Sequence, residues 1–206
     1  TSKSFPILTM DKNYRKILKP NNDWFLEFDF NAAELRVMLG LLGKEQPQED
    51  LHEWNIENVF KNKTTREEAK KRVFAWLYNE KSKDLLLNSV YDRNKIKEKY
   101  WNGQQIKTIF DREIESDEYH AVNYIIQSTA ADLFLRQMVK VWEKLRDRKS
   151  HVAFCLHDSL IIDFSDEDVD LINDLKEAFA KTQLGEFKIN VFAGKNYGDM
   201  KRINVR

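Results

Sequence analysis

Hydrophobic and polar positions form patterns that predict strands near both ends of the chain and helices between them. Residues 24–29 are rich in aromatic side chains and predict a β-strand. Apolar residues then recur at helical spacing over 32–42, which predicts a helix that stops near Gly43. Two short apolar runs, 152–156 and 160–164, flank His157-Asp158-Ser159 and predict a tight β-hairpin.

The middle of the chain is polar and dense in Lys and Glu, and it predicts a set of helices. One of them runs from a cap at Thr64 or Thr65 through Tyr78, with acidic residues in its first turn. Strands that flank a helical insertion favour an α+β fold, a sheet with helices on one face. The predicted segments are a first part at 1–50, the helical insertion at 51–118 and a second part at 119–206.

Three further elements are predicted in the last third of the chain. A long helix over 119–144 has Trp142 among its buried residues, and a helix capped by Ser165 has Val169 on its buried side. Residues 187–191 alternate in polarity, which is typical of an edge strand.

Composition limits the class of protein. With 206 residues, 42% of them hydrophobic, the chain is long and apolar enough for one domain, or one domain with an added lobe. No apolar run is long enough to span a bilayer, and the first residues do not resemble a signal peptide. Because the sequence does not begin with Met, we expect a processed or excised piece. The single cysteine, Cys155, is predicted to be a buried hydrophobe in a reducing, cytoplasmic setting.

The charges balance, with 34 basic and 34 acidic residues. This balance does not favour a strongly cationic nucleic-acid binder. Charges that are segregated on the surface could still form a basic groove beside an acidic site, so composition leaves the partner open.

Two aspartates lie at the ends of predicted strands. Asp29 ends the first strand, where it could cap the next helix or bind a metal ion. Asp158 lies in the predicted hairpin turn, where it could simply form the turn. Together, two aspartates at the ends of neighbouring strands could hold two divalent cations about 4 Å apart for phosphoryl displacement. Mg²⁺ suits such a site because it needs only one or two carboxylates besides water and phosphate oxygens.

A third group of residues falls on one face of the predicted helix over 65–78. Arg66, Lys70, Phe74 and Tyr78 are spaced four residues apart, so they form one stripe, cationic at its start and aromatic at its end. The cations could hold a triphosphate and the rings could contact a base or sugar. The alternative is a solvated basic face with both aromatic rings in the core.

Four segments, in this order along the chain, resemble the motifs of the family A DNA polymerases, the bacterial DNA polymerase I and phage replicase group. Asp29 to Arg36 resembles the first palm motif, Asp-Tyr-Ser-x-x-Glu-Leu-Arg, and the stripe resembles the fingers helix, Arg-x3-Lys-x3-Phe-x3-Tyr. Asn123 to Asp132 is similar to the Asn-x-x-x-Gln-Gly-Thr-Ala-Ala-Asp helix, and His157-Asp158-Ser159 is similar to the His-Asp-Glu turn. The resemblance implies an antiparallel palm sheet with packed helices and an inserted α-helical fingers lobe.

The resemblance implies a role for each matching residue. Asp29 and Asp158 would hold two Mg²⁺ ions, and Lys70 would also protonate the leaving pyrophosphate. Glu34 would exclude a 2′-hydroxyl from the incoming sugar. The dNTP-binding residues would be Arg66, Lys70, Phe74, Tyr78 and Glu34. The residues that touch primer–template DNA or support the site would be Arg36, Asn123, Gln127 and His157.

The sequence also departs from the family pattern. Ser159 replaces the Glu that usually follows the second aspartate, Asn79 replaces a Gly after the fingers Tyr, and Ser128 replaces another Gly. Asp50-Leu51-His52 resembles a family Asp-x-His element, or is simply the start of a helix. Thr1-Ser2-Lys3 resembles the tail of a Thr-Gly-Arg element, which implies that a thumb and any proofreading exonuclease lie upstream.

The implied function is template-directed DNA synthesis of a phage-like type. A primer 3′-hydroxyl would attack the α-phosphorus of a dNTP, with no membrane involved and with a bacterial or phage-infected cytoplasm as the setting. Two other functions are left open. One is a non-catalytic nucleic-acid-binding module, in which the aspartates are caps and the stripe grips phosphate. The other is a two-metal nuclease, which would leave the stripe unexplained.

Overall fold

Short strands lie near both ends of the chain and helices lie between them in the computed structural model, which describes residues 10–11, 13–79 and 81–205. The predicted Thr-Gly-Arg-like segment, Thr1 to Lys3, lies outside this part. The helices are α1 (Ala33–Leu41), α2 (Leu51–Asn58), α3 (Arg66–Tyr78), α4 (Leu85–Val90), α5 (Arg93–Tyr100), α6 (Glu118–Leu145) and α7 (Ile172–Ala180). The strands are β1 (Trp24–Phe30), β2 (Gln105–Lys107), β3 (Glu113–Glu115), β4 (His151–Leu156), β5 (Ser159–Phe164), β6 (Lys181–Thr182), β7 (Gly185–Glu186), β8 (Ile189–Gly194) and β9 (Lys201–Ile203).

The chain divides into two compact units. The first, which we call the sheet unit, consists of the described residues before position 31, Arg136–Ala180, and the described residues from Ile189 onward. The second, the helical unit, consists of Asn31–Leu135 and Lys181–Lys188. The assignment of segments 1–50, 51–118 and 119–206 to palm, fingers and palm stays a prediction.

The sheet unit is built on five strands in the order β4-β5-β1-β8-β9, and each neighbouring pair is antiparallel. Strand β1 lies at the centre, between β5 and β8. The predicted α+β fold with an antiparallel sheet and packed helices is therefore confirmed.

Strand β1 has one face covered by a helix. Phe28 and Phe30 pack against Phe179 of α7, with ring centroids 5.8 and 4.3 Å away. Because side chains alternate along a strand, Glu27 and Asp29 point to the other face. The predicted metal ligand on β1 is thus on the face that α7 leaves uncovered.

The helical unit follows the predicted helix signals closely. Helix α1 ends with Gly43 in the left-handed region (φ 70°), and the N–H groups of Gly43 and Lys44 bond back to the carbonyls of Gly40 and Leu39. Helix α3 begins at a capping box in which the Thr65 side chain accepts from the Glu68 N–H and the Glu68 side chain accepts from the Thr65 N–H. Both ends were predicted from the sequence, and both predictions are confirmed.

Several predictions about burial and pairing are wrong. Trp142 and Val169 are exposed, at 47% and 62%, and Cys155 is exposed on β4 rather than buried. The strand predicted at 187–191 is β8, which is flanked by β1 and β9 and is not an edge. The middle of the chain is not entirely helical, because β2 and β3 form a short hairpin in the helical unit.

Among the described residues, no helix is both long enough and apolar enough to cross a membrane.

Candidate active site

The two predicted metal ligands lie at one end of two neighbouring strands in the sheet unit. Asp29 is near the end of β1, and Asp158 is in the two-residue turn between β4 and β5. In the register of β1 and β5, Asp29 pairs with Ser159, the residue that follows Asp158. The turn is tight because His157 adopts φ 55°, a left-handed conformation that no glycine supplies here.

The alternative interpretation of Asp29 as a helix cap is wrong. Helix α1 begins at Ala33, its N-cap is Ala32, and no side chain caps it. The Asp29 carboxylate instead accepts two cross-strand hydrogen bonds, from Ser159 Oγ to Oδ1 and from Asn190 Nδ2 to Oδ2, both at 3.1 Å. The strands on both sides of β1 therefore orient this carboxylate.

A third carboxylate, Glu27, lies beside the two aspartates. Burial raises the pKa of Glu27, a hydrogen bond from Ser159 opposes this, and the charges of Asp29 and Asp158 raise it further. Arg15 acts in the opposite direction and lowers the pKa. All three carboxylates thus interact electrostatically in this part of the sheet unit.

The residues present fit divalent metal ions of the Mg²⁺ type. In the described part of the chain, no three His, Cys, Asp or Glu side chains are arranged to hold a metal ion by themselves. Mg²⁺ does not need such a cage, because it uses one or two carboxylates and takes its remaining ligands from water and substrate phosphates. Asp29 and Asp158 supply hard oxygen ligands of this kind, and Asp29 is already oriented by its neighbours.

The predicted stripe lies on the exposed face of α3 in the helical unit. The buried side of this helix consists of Ala69, Val73, Trp76 and Leu77. Arg66, Lys70 and Tyr78 are exposed and Phe74 is half-buried, so the alternative with both rings in the core is wrong. The Phe74 and Tyr78 rings lie nearly parallel, with centroids 6.1 Å apart, and Lys70 Nζ is 5.7 Å from the Phe74 centroid.

Arg66 is held in place by two acids at the start of α2. It lies 3.1 Å from Asp50 Oδ2 and 3.1 Å from Glu53 Oε1. Burial alone would raise the pKa of Asp50, but the hydrogen bond and charge of Arg66, with further hydrogen bonds from the Glu53 N–H and Asn31, hold that pKa below its ordinary value. Asp50 also caps α2 by accepting from the His52 and Glu53 N–H groups, so Asp50-Leu51-His52 does start a helix.

Glu34 and Tyr78, both predicted to contact the nucleotide, meet in the helical unit. The Tyr78 hydroxyl donates to Glu34 Oε2 at 2.6 Å. Glu34 lies in the first turn of α1 and Tyr78 is the last residue of α3. The hydrogen bond therefore fixes the end of the stripe against the residue predicted to select the sugar.

Arg36, predicted to contact DNA, is fully buried in the helical unit. Its guanidinium donates to the carbonyls of Asn31, Pro47 and Glu49 and to the Asn31 side chain, at 2.7–3.1 Å. Burial lowers the pKa of Arg36 to about 10. In this structure Arg36 joins α1 to the loop before α2, and the predicted DNA contact gains no support.

The other predicted DNA contacts are on the surface. Asn123 is half-buried and Gln127 is exposed one turn later on α6, both within the helical unit. His157 is exposed in the β4–β5 turn of the sheet unit. Their predicted roles at DNA stay predictions.

Sequence reasoning missed three residues that contact the predicted site residues. Glu27 and Asn190 lie beside Asp29, and Glu53 pairs with Arg66. Glu27 carried a usable signal, because it is two residues before Asp29 in a strand and must share its face. Asn190 and Glu53 carried none, since their positions depend on strand pairing and helix packing.

Comparison with known proteins identifies the family. The model of DNA polymerase family A matches residues 93–199, which is just over half of the 206 residues. The chain belongs to DNA polymerase family A. The matched span contains Asp158 and α6 but neither Asp29 nor the stripe on α3, so the roles of those residues rest on their geometry and on the motif resemblance.

Solved structures share this fold, and one of them illustrates the similarity. It is described as the POL domain of Pol1 from M. smegmatis in complex with DNA primer–template and dNTP, and it matches with a TM-score of 0.72 at 16% sequence identity. The match covers 92% of this chain but only 43% of that one, so the chain spans less than half the length of this relative. No curated protein matches the sequence.

Proposed function

We propose that this chain is the palm and fingers portion of a DNA-directed DNA polymerase that adds dNTPs to a primer 3′-hydroxyl on a template. The observation that carries the proposal is the pair of aspartates at adjoining strand ends, with Asp29 oriented by Ser159 and Asn190. Family membership supports the reaction class. We further propose that the enzyme is of the phage type and that this chain is part of a longer polymerase with an upstream thumb or exonuclease portion.

Asp29 and Asp158 hold two Mg²⁺ ions in the proposed site. Bound there, the ions lower the pKa of the attacking hydroxyl and neutralise charge on the leaving pyrophosphate. The protein's part is to fix the direction of the carboxylates before substrate arrives, so that little reorganisation is needed during the reaction. The two hydrogen bonds to Asp29 support this role.

Arg66 and Lys70 bind the triphosphate in the proposed function, and Lys70 gives a proton to the departing pyrophosphate. Both side chains are exposed on α3, and Lys70 has a half-buried ring behind it. To bind phosphate, Arg66 must exchange its contacts with Asp50 and Glu53 for phosphate oxygens. An exposed guanidinium can do this, because surface ion pairs of this kind contribute only about 0–1 kcal/mol.

Phe74 and Tyr78 form a ring surface at the end of the stripe, and Glu34 faces the sugar. In the proposed function Glu34 leaves no room for a 2′-hydroxyl, and the hydrogen bond from Tyr78 holds it in place. Asn123, Gln127 and His157 contact primer–template DNA on the exposed surfaces of their units.

Primer extension with dNTPs and Mg²⁺ tests the proposal, on this chain and on a form extended upstream. Asp29→Asn and Asp158→Asn should each abolish incorporation while leaving the circular dichroism spectrum intact, because an amide is a poor ligand for Mg²⁺. Asp170→Asn, an exposed change in the sheet unit, is the matched control and should extend normally. Near-normal extension by either aspartate variant would overturn the metal assignment.

The same assay, run beside a measurement of DNA affinity at several salt concentrations, separates the two other candidate functions. A non-catalytic binding module would retain its salt-sensitive DNA affinity in Asp29→Asn and would need no Mg²⁺. A nuclease would shorten the labelled primer rather than lengthen it. Either result would replace the proposed function.

A further inference from the structure

Two carboxylates at the start of α2 engage the guanidinium of Arg66, the first cation of the stripe. Arg66 Nη2 lies 3.1 Å from Asp50 Oδ2, and Arg66 Nε lies 3.1 Å from Glu53 Oε1. A guanidinium grips phosphate with pairs of N–H groups, so the two carboxylates use groups that a phosphate would also need. Among the described residues, no carboxylate forms an ion pair with Lys70, one turn later on α3, so this arrangement is specific to Arg66.

The two carboxylates differ in how firmly they are fixed. Asp50 Oδ2 also accepts from Asn31 Nδ2 at 2.9 Å, and Asp50 Oδ1 accepts from the His52 N–H at 2.9 Å, so Asp50 keeps partners when Arg66 moves away. The Glu53 side chain is 53% exposed, and Arg66 is the one described residue that its carboxylate contacts. Water can solvate the Glu53 carboxylate as soon as Arg66 leaves, so this pair is easily broken and easily re-formed.

An alternative is that the ion pair serves only to join α2 to α3. The two helices already pack against each other, and the His52 and Phe74 rings lie 6.3 Å apart between them. An exposed ion pair adds little to such packing. A role in stability alone predicts no change in phosphate binding when Glu53 loses its charge.

We propose that Glu53 is a positioning residue that competes with polyphosphate for Arg66. It holds the guanidinium beside α2 and takes it back when pyrophosphate departs, which lowers the affinity of the site for substrate and product alike. Weak binding of the product favours turnover, because product release limits the rate of many enzymes. This inference rests on the proposed function, in which Arg66 binds the triphosphate.

Titration calorimetry of the full chain measures this competition directly, with inorganic tripolyphosphate or pyrophosphate as the ligand, without DNA and with metal ions chelated. Glu53→Gln should bind both anions about threefold more tightly, the gain expected when one exposed ion pair no longer competes. Glu57→Gln, which removes an exposed carboxylate one turn later on α2, is the matched control and should bind as the parent does. Parent-like affinity in Glu53→Gln would overturn the proposal.

A second background separates competition for Arg66 from simple repulsion of anions. Arg66→Gln removes the guanidinium, while Lys70 still supplies a cation, so weaker binding remains measurable. Because Glu53 acts through Arg66, Glu53→Gln should give no further gain in this background. A threefold gain that persists without Arg66 would show that Glu53 merely repels anions, and the proposal would be wrong.

Arg66→Gln also distinguishes failure of this inference from failure of the proposed function. If Arg66→Gln binds tripolyphosphate as tightly as the parent, or if the parent does not bind it, the triphosphate role of Arg66 is wrong and the inference fails with it. If Arg66→Gln binds more weakly while Glu53→Gln binds as the parent does, only the role of Glu53 is wrong.

Discussion

At the scale of single residues, the hydrogen bond between Tyr78 and Glu34 gives the most direct test of substrate selection. The Tyr78 hydroxyl and Glu34 Oε2 are 2.6 Å apart, although the residues are separated by 44 positions in the chain. A short hydrogen bond to an ionised carboxylate is stronger than one between neutral groups. Loss of the hydroxyl should therefore leave Glu34 free to move away from the sugar.

Tyr78→Phe is expected to reduce discrimination against ribonucleotides about tenfold, since one such hydrogen bond contributes on the order of 1.4 kcal/mol. Glu34→Ala should reduce it at least as much, because it removes the group that blocks the 2′-hydroxyl. The measurement is the ratio of kcat/KM for a dNTP to that for its ribonucleotide. Tyr119→Phe, at an exposed tyrosine of the same unit, is the control. Unchanged selectivity in Glu34→Ala would contradict the assigned role.

Residue identities predicted which side chains are candidates for chemistry, but they did not predict the partners of each side chain. The spacing of the stripe predicted that its four residues share one face of α3 but left open whether its rings lie in the core, and in the structure Arg66, Lys70 and Tyr78 are exposed and Phe74 is half-buried. Arg36 sits inside the first motif as a charged residue, yet it is fully buried and bonded to backbone carbonyls. These carbonyls belong to a loop whose path no local pattern specifies, so burial of this charge was not predictable.

At the scale of elements, the sequence predicted best where a signal was local. The capping box at Thr65, the Gly43 stop and the tight β4–β5 hairpin were all predicted within a residue or two, because each depends on neighbouring residues. The interior position of β8 in the sheet was not predicted, because β9 pairs with it only in the folded chain. The hydrogen bond from Asn190 to Asp29 depends on the same tertiary pairing.

The C-terminal end of α3 is held by a set of hydrogen bonds from Arg93, the Arg93 brace, which no helix signal in the sequence indicates. Arg93, the first residue of α5, donates to the carbonyls of Trp76, Asn79 and Ser82 at 2.7–3.0 Å. Its guanidinium also lies 4.4 Å from the Trp76 ring. Asn79, which departs from the family Gly, is thus fixed in an extended conformation by a neighbouring element.

Arg93→Lys should loosen the end of α3, because a single ammonium cannot reproduce a planar fork that reaches three carbonyls. We expect faster hydrogen exchange at the Ser82 amide, which bonds to the Asn79 carbonyl, and a loss of about 1–2 kcal/mol in the free energy of unfolding. Arg202→Lys, at an exposed position on β9, is the matched control and should change neither quantity. Parent-like exchange at Ser82 in Arg93→Lys would show that the brace is not needed.

At the scale of the whole molecule, the balance of 34 basic and 34 acidic residues makes stability sensitive to acid. Protonation of the carboxylates leaves a large uncompensated positive charge, which repels itself in the compact state. Aspartates whose pKa values lie below the ordinary value of 3.8 in the folded chain add to this effect, and Asp50, Asp84 and Asp168 are among them. In each case burial opposes the shift, and hydrogen bonds together with the charge of a nearby arginine outweigh it. The arginine itself donates a hydrogen bond to Asp50 and to Asp84, whereas the hydrogen bonds to Asp168 come from Ser150 and the backbone.

Asp168 shows most clearly in which direction stability is expected to change with pH. Its Oδ2 accepts from the Ser150 N–H at 2.8 Å, and Arg148 lies 3.8 Å from Oδ1. Because its folded pKa is depressed, its contribution to stability is present above about pH 4 and is lost as the pH falls through the folded pKa. Asp168→Asn should therefore destabilise the protein at pH 7, and its difference from the parent in urea midpoint should shrink toward pH 3. A difference that stays constant across this range, like that expected for the exposed control Asp170→Asn, would mean that the Asp168 charge does not stabilise the fold.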